Sequence, residues 1–296
     1  ISGSIFPEKE IQQLKSIYTQ NLRVNQEKTS FLASRLFKKT IYGEHHPYGK
    51  ELNEEDVRRI DRNGLVQFYN KALGEFKVIV SGKIGAERKT KILDSFASLS
   101  NRQIEKTDHH PEPSPRYKHH ADKENSIQSS LRVGKRVIGR THPDYAYLLF
   151  VNHILGGYFG SRLMKNIREE KGLTYGIYSS IHAMAHDSYL AIGTDVNKEN
   201  RELAFRGIKS EINRLSEEMI SDEELETARC HFIGSFQTEL STAFAHADKI
   251  KSIVLFNLGK DHYNSLLEKI NKATAEDLRV VAKKYLENNF YEISAG

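Results

Sequence analysis

One cysteine, Cys230, is all that the 296 residues contain. It cannot close an internal disulfide, and without a second cysteine no CxxC pair or Cys/His finger can be assembled. Long apolar runs are lacking too. The longest, Tyr145 to Leu155, is broken by Asn152 and His153, far below the roughly 20 residues that a membrane-spanning helix needs. Charge of one sign is equally scarce: 44 basic and 39 acidic residues leave a net charge of +5. The two signs are interspersed, which reads as a solvated surface and not as a nucleic-acid-binding stripe. The first residues, Ile1-Ser2-Gly3-Ser4, offer neither an initiating Met nor a basic n-region, so the start reads as a processed or cut end and export is left open.

What is present is enough for a sizeable core. Apolar residues make up 38% of the chain, which excludes a disordered or disulfide-stapled class, and at roughly 150 residues per domain the length suggests about two domains. Three of the six prolines, Pro111, Pro113 and Pro115, fall within five residues of a polar, His-rich stretch. That stretch, 101–126, reads as an interdomain linker.

Before it, periodicity predicts helices over about 7–42, 53–72 and 85–99, with a strand from Phe76 to Val80. After it come a strand near 127–138, a helix over 144–156 opened by Pro143, and a helix over 161–171 with Ser161 as candidate N-cap. Thr174 to Ala183 and Ser188 to Val196 alternate as a hairpin would. Helices over 199–217, 221–240, 243–258 and 261–286 follow, the last interrupted near Thr274, and Phe290 to Ser294 closes as a strand. Ser221 with Glu224 reads as a capping box, and Thr274 with Asp277 as a weaker one.

The chain also resembles itself. A shift of 214 lays Pro7-Glu8-Lys9-Glu10-Ile11 on Ser221-Asp222-Glu223-Glu224-Leu225, Lys15 on Arg229 and Tyr42 on Phe256. A shift of 213 lays Leu65, Lys71 and Leu73 on Leu278, Lys284 and Leu286. Each match is weak, but the shared helix, helix, helix, strand order points to a duplicated α+β domain. Residues 1–100 then correspond to the second half of one domain, and 127–296 form a complete one. The counterpart of 127–213 has no place in front.

The densest candidate for chemistry runs from Leu155-Gly156-Gly157-Tyr158-Phe159-Gly160-Ser161-Arg162 to Arg168, Gly172, Thr174 and Tyr175. Its glycines join two helices, so they read as helix stops, because a phosphate loop would follow a strand. Arg168 and Tyr175, seven residues apart across the break at Gly172, can bring a guanidinium fork and a phenol to one carbonyl oxygen. By spacing alone they can equally be a helix-terminal charge and a half-buried strand residue. The pairs His45-His46, His109-His110 and His119-His120 lack an acidic or cysteine partner at fixed spacing, and the last two pairs read as solvated linker histidines. His153, on an apolar helix, reads as a packed histidine. Cys230 and the serines carry no nucleophile context.

The stretch from Leu155 to Ser179 resembles the pitrilysin/insulinase-type zinc metallopeptidase family, above all its mitochondrial processing peptidase branch. Phe6 to Ile11, the run from Tyr42 to Gly49, Phe68-Tyr69 before the strand and Gly82, and the helix opened by Ser221 add to the likeness. The resemblance implies paired α+β domains, each a mixed sheet packed with helices, forming half of a clam-like chamber. In that family an H-x-x-E-H helix in the first domain binds zinc through two histidines, its glutamate activates water, and a later glutamate is the third ligand. An Arg/Tyr pair in the second domain grips substrate, and it carries over onto Arg168 and Tyr175. The zinc half does not carry over: none of the thirteen histidines stands in H-x-x-E-H, and Asn21 occupies the place of the third ligand, where a neutral amide is a poor substitute for a carboxylate.

The reading that follows is the non-catalytic, substrate-gripping subunit of a two-subunit zinc metalloendopeptidase acting on extended peptides. No cofactor is expected in this chain, zinc being supplied by a homologous partner subunit or by the half-domain with no counterpart here; the partner could also be a second copy. Two alternatives stay open: a fragment of a complete zinc peptidase, and a structural scaffold that has lost proteolysis. The Lys- and Asn-rich composition suggests a bacterial cytoplasmic or periplasmic setting.

Overall fold

The computed structural model describes residues 5–72, 77–97 and 108–296. The first helical stretch is two helices, α1 (Glu8–Gln26) and α2 (Thr29–Tyr42), and not one helix over 7–42. The break falls at Lys28, whose backbone is extended (φ −92°, ψ 122°); no Gly or Pro announces it. The stretch 53–72 divides likewise into α3 (Glu54–Arg59) and α4 (Arg62–Ala72), with extended Ile60 between them. Residues 77–80 form no strand, and Val78 and Val80 are exposed. Phe76 and Leu73 lie outside the described residues, as do the last two positions of the expected 85–99 helix, of which α5 (Ala86–Ala97) is described.

Part of the expected linker is a strand. β1 (Lys118–Ala121) is followed by β2 (Gln128–Arg136), α6 (Tyr145–Asn152), β3 (Ile177–Ala183), β4 (Ser188–Asn197) and α7 (Arg201–Glu217). Then come α8 (Asp222–Glu239), α9 (Ala243–Leu255), α10 (His262–Lys272), α11 (Ala275–Leu286) and β5 (Tyr291–Ala295). The mixed five-stranded sheet has the order β1-β5-β2-β4-β3. Only β1 and β5 run parallel, with Lys118 opposite Glu292 and Ala121 opposite Ala295. His120 is therefore no solvated linker residue: its Nδ1 lies 2.8 Å from Ser294 Oγ on the neighbouring strand.

Period-two alternation sends successive side chains to opposite faces of this sheet. Leu131, Val133, Leu190 and Ile192 point into the main core, with Leu148, Phe150, Ile212, Leu278 and Ala282 from the helices. The opposite face is covered by α2, where Phe37, Ile41 and Tyr42 pack on Tyr189, Tyr291 and Ile293. Each such burial contributes roughly 1.5–3 kcal/mol, enough to seat α2 on the sheet. The approach is closest at Gly134 of β2: a Cβ there would lie 2.1 Å from the Leu190 carbonyl oxygen and 2.7 Å from Phe37 Cζ.

The two expected capping boxes exchange rank. Thr274 makes the complete one, accepting from the Asp277 amide while Asp277 accepts from the Thr274 amide. The Thr274 hydroxyl, donating to the Asp277 carboxyl at 2.7 Å, and then the Thr274 amide hold that carboxyl below the ordinary range. Ser221 accepts from Glu224 N, but the Glu224 carboxylate is taken by Arg162. Thr274→Ala should accordingly cost about 1 kcal/mol in urea unfolding, and an unchanged midpoint would show that the cap contributes nothing.

Helix starts preserve the internal shift. α8 and α9 begin 214 residues after α1 and α2, and α11 begins 213 after α4.

Candidate functional site

The site is assembled where two helices bend onto the hairpin. α6 passes into a π-helical turn, His153–Gly157, that carries Gly156 and Gly157, so these glycines end a helix as the sequence suggests. A second π-helical segment, Met164–Glu170, carries Arg168 in its last turn. Such i→i+5 turns insert one extra residue and concentrate at functional positions. Ser161 takes the N-cap position expected of it, directly before the first helical residue and with its carbonyl accepting from Lys165 N, but its hydroxyl is buried without a hydrogen-bond partner among the described residues and caps nothing.

The end of this helix sets how the chain turns between Arg168 and Tyr175. Lys171 N donates to Asn166 O and Leu173 N to Ile167 O, each one residue wider than an ordinary helix end would give. Gly172 takes φ +63°, a left-handed conformation in which a Cβ is disfavoured. The next residues are tied to the sheet by hydroxyls. Thr174 Oγ1 donates to Asp195 O at 2.8 Å and accepts from Gly176 N, while Thr194 Oγ1 donates to Gly176 O at 2.9 Å.

Tyr175 sits on this tied loop with 94% of its surface exposed. The Arg168 guanidinium lies 4.6 Å from the Phe159 ring centroid, a cation–π contact that orients the fork without using its N–H donors. Among the described residues neither Arg168 nor Tyr175 makes a hydrogen bond or ion pair. Two donors are thus held on ordered backbone and left free. Phe159, 60% exposed, is a member of the site that the sequence did not single out, and its only signal was its place beside the glycines.

Beneath the helix a cleft of about 390 Å³ is lined by Tyr158, Arg162, Lys165, Glu170, Glu211 and Glu224. Arg162 forks onto Glu224 at 2.7 and 2.8 Å, and Asn166 Nδ2 donates to Glu211 at 2.9 Å. These bonds anchor the Arg168 helix to α8 and α7. The end of α6 is tied to β3 in the same way: Ser179 Oγ donates to Asn152 Oδ1 at 2.5 Å, and Asn152 Nδ2 returns a bond to Ser179 O. His153 is buried as expected, stacked 4.8 Å from the Tyr158 ring, with its Nε2 3.2 Å from His231 Nδ1. Desolvation, aided by the charge of His231, depresses its pKa to about 4.

No zinc site can be built around Asn21. It lies exposed on α1, and no group of three or more His, Cys, Asp or Glu residues gathers among the described residues to hold a metal. The donor set there does not fit a zinc ion. Among the described residues no helix is long and apolar enough to cross a membrane.

Known proteins share this architecture. An "Uncharacterized zinc protease YmxG" of Bacillus subtilis is 24% identical over 286 residues, spanning 94% of this chain and 68% of its own length. A "Non-peptidase homolog YmxG" of Helicobacter pylori is 26% identical over 148 residues, or 49% of this chain and 34% of its own. A crystal structure of a peptidase M16 inactive domain from Pseudomonas fluorescens superposes with a TM-score of 0.85 at 22% identity, covering 99% of this chain and 71% of that one. The peptidase M16 inactive domain itself is matched over residues 59–230. With its mixed sheet, its helical layers and that match across more than half of its length, the chain belongs to the peptidase M16 family.

Proposed function

We propose that this chain is the substrate-gripping, non-catalytic member of a zinc metalloendopeptidase, working with a zinc-bearing homologous subunit on extended peptides. The observation that carries the reading is the free state of Tyr175 and Arg168 on a tied corner. A phenol that is 94% exposed on a loop anchored by three hydroxyl-mediated bonds is built to meet something outside the chain. Arg168 holds a peptide carbonyl, and Tyr175 donates to the oxygen on which charge develops as the bond is attacked. The metal and the water-activating groups come from the partner, since Asn21 and its surroundings do not supply them.

Residues 1–100 are, in this reading, the second half of a first domain, joined through 101–126 to the domain 127–296. The repeated helix spacing supports the division, as do Leu14, Tyr18, Phe68 and Leu93, apolar residues that α1, α4 and α5 leave exposed and that the other half of such a domain would cover.

The test is peptide cleavage by the chain reconstituted with a zinc-bearing homologue. Tyr175→Phe and Arg168→Ala should each lower kcat/KM by at least about tenfold, or about 1.4 kcal/mol of transition-state stabilisation, with assembly unchanged by gel filtration. Unaltered cleavage in both variants would remove the assignment. A scaffold that has lost proteolysis is the second reading, favoured by the "non-peptidase" name of one relative. Failure of the assembled pair to bind or cleave any peptide would select it.

A further inference from the structure

A second cleft, of about 360 Å³, lies away from Arg168 and Tyr175. One wall is the approach to α6, with Arg140, Thr141 and His142; the other is a single face of α10, His262, Ser265, Leu266 and Lys269, spaced three and four apart. The loop from Asn257 to Gly259 closes one end. No Asp or Glu lines it, whereas the 390 Å³ cleft under Arg168 carries four glutamates.

Two of the residues that line this cleft each carry a buried polar atom without a hydrogen-bond partner among the described residues: Arg140 Nε and His262 Nε2. They are the two orphans that share one cavity. An unsatisfied buried polar group costs about 1–3 kcal/mol, and more when it is charged. Among the described residues the Arg140 guanidinium makes no ion pair; it is held by aromatic faces, 4.8 Å from the Phe256 centroid and 6.0 Å from that of Tyr145. The nearest carboxylate in sequence, Asp144, is occupied by Lys284 at 2.8 Å and Tyr285 at 2.6 Å. Lys269 Nζ donates to Pro143 O at 2.9 Å, which holds a second cation at the rim and leaves two of its three protons free. Burial, together with the charge of Arg140, holds His262 below its ordinary value, so near neutral pH it can offer a single N–H at no charge cost.

We propose that this cleft binds a small phosphate-bearing anion, with Arg140 and His262 as its principal donors and Lys269 at the rim. Phosphate fits better than a carboxylate because the donors face one another from two walls, Arg140 and Thr141 on the α6 approach and His262, Ser265 and Lys269 on the α10 face. A tetrahedral group with three acceptor oxygens can meet all of them, while a planar carboxylate would satisfy one fork. Tyr145 in the lining and Phe256 against the Arg140 guanidinium strengthen the pairing by keeping water from one side of it.

The experiment is calorimetric titration of the full chain with inorganic phosphate, glycerol 3-phosphate and acetate, with the imidazole resonances of His262 followed by NMR in parallel. Saturable one-to-one binding of phosphate with a Kd below ~1 mM is expected, with acetate weaker by about tenfold and the His262 ring signals moving with occupancy. Arg140→Gln and His262→Gln should each weaken phosphate binding by about tenfold while the far-ultraviolet circular dichroism is unchanged. The proposal is overturned if phosphate does not saturate by ~20 mM, if acetate binds as tightly, or if the His262 resonances stay still at saturation. This last readout needs no variant, so it decides the matter even if both substitutions unfold the chain. Tighter binding of glycerol 3-phosphate than of inorganic phosphate would mark the natural ligand as an organic phosphate, and equal binding would mark it as the free ion; either supports the site.

Discussion

Lowering the pH from about 6.5 to about 4 should remove about 3 kcal/mol of folding stability through one residue, His153. Its imidazole has a pKa of about 4 in the folded chain and 6.5 when free of it. Between these values the unfolded chain binds the proton and the folded chain does not, so unfolding is increasingly favoured as pH falls. The contribution is fully present above about 6.5, declines through the interval, and levels off once the folded form also accepts the proton. The cause is physical and local: a charged ring would sit buried against Tyr158 and Phe232, facing His231. Urea unfolding of the native chain and of His153→Gln at a series of pH values isolates the effect. The variant is expected to lose the difference between about pH 6.5 and pH 4, and parallel curves for the two proteins would show that His153 is not the group responsible. His46, His182 and His262 are depressed in the same direction, so part of the acid sensitivity should survive in the variant.

Gly134→Ala should destabilise the chain by about 3 kcal/mol, the upper end for an overpacked site. The added methyl would meet the Leu190 carbonyl oxygen, a backbone atom of the neighbouring strand, as well as the Phe37 ring of α2. A side chain can turn aside and a paired strand cannot, so combining the change with Phe37→Ala should give no recovery and should add a further loss from the emptied core position. Thermal unfolding reads the result at about 2–4 °C for each kcal/mol. Full recovery in the double variant would mean that the ring, and not the strand, sets the limit at Gly134.

Residues 127–296 were largely legible because each element carries its own local signal. The hairpin alternates, α11 has its cap at Thr274, and the break before it falls where that cap predicts. The misreadings have a common cause, which is that the deciding contact is remote. β1, Lys118-His119-His120-Ala121, has no strand-like composition, and it is a strand because β5 lies alongside it. Glu224 looked like the partner of Ser221 and instead answers Arg162, 62 residues away in sequence. The breaks at Lys28 and Ile60 are set by packing and have no Gly or Pro to mark them. The π-helical turns leave no compositional trace, since they differ from an α-helix by one residue in the hydrogen-bond register. Arg168 and Tyr175 were located through a likeness to a family, and their spacing alone left them ordinary. That both are unpartnered among the described residues is known only from the structure, as is the placing of Arg140 and His262, remote in sequence, in the lining of one cleft.

The position of β5 between β1 and β2 sets a timetable for biosynthesis. α2 buries Phe37, Ile41 and Tyr42 against Tyr291 and Ile293, which a ribosome adds about 250 residues later, some 10–50 s at the usual rate of elongation. Throughout that interval the apolar face of α2 lacks part of its seat and β1 lacks its strand neighbour. The sheet cannot close by local pairing as chain emerges, and must await its most distant strand. Nascent chains halted before Tyr291 should therefore be the ones that chaperones hold.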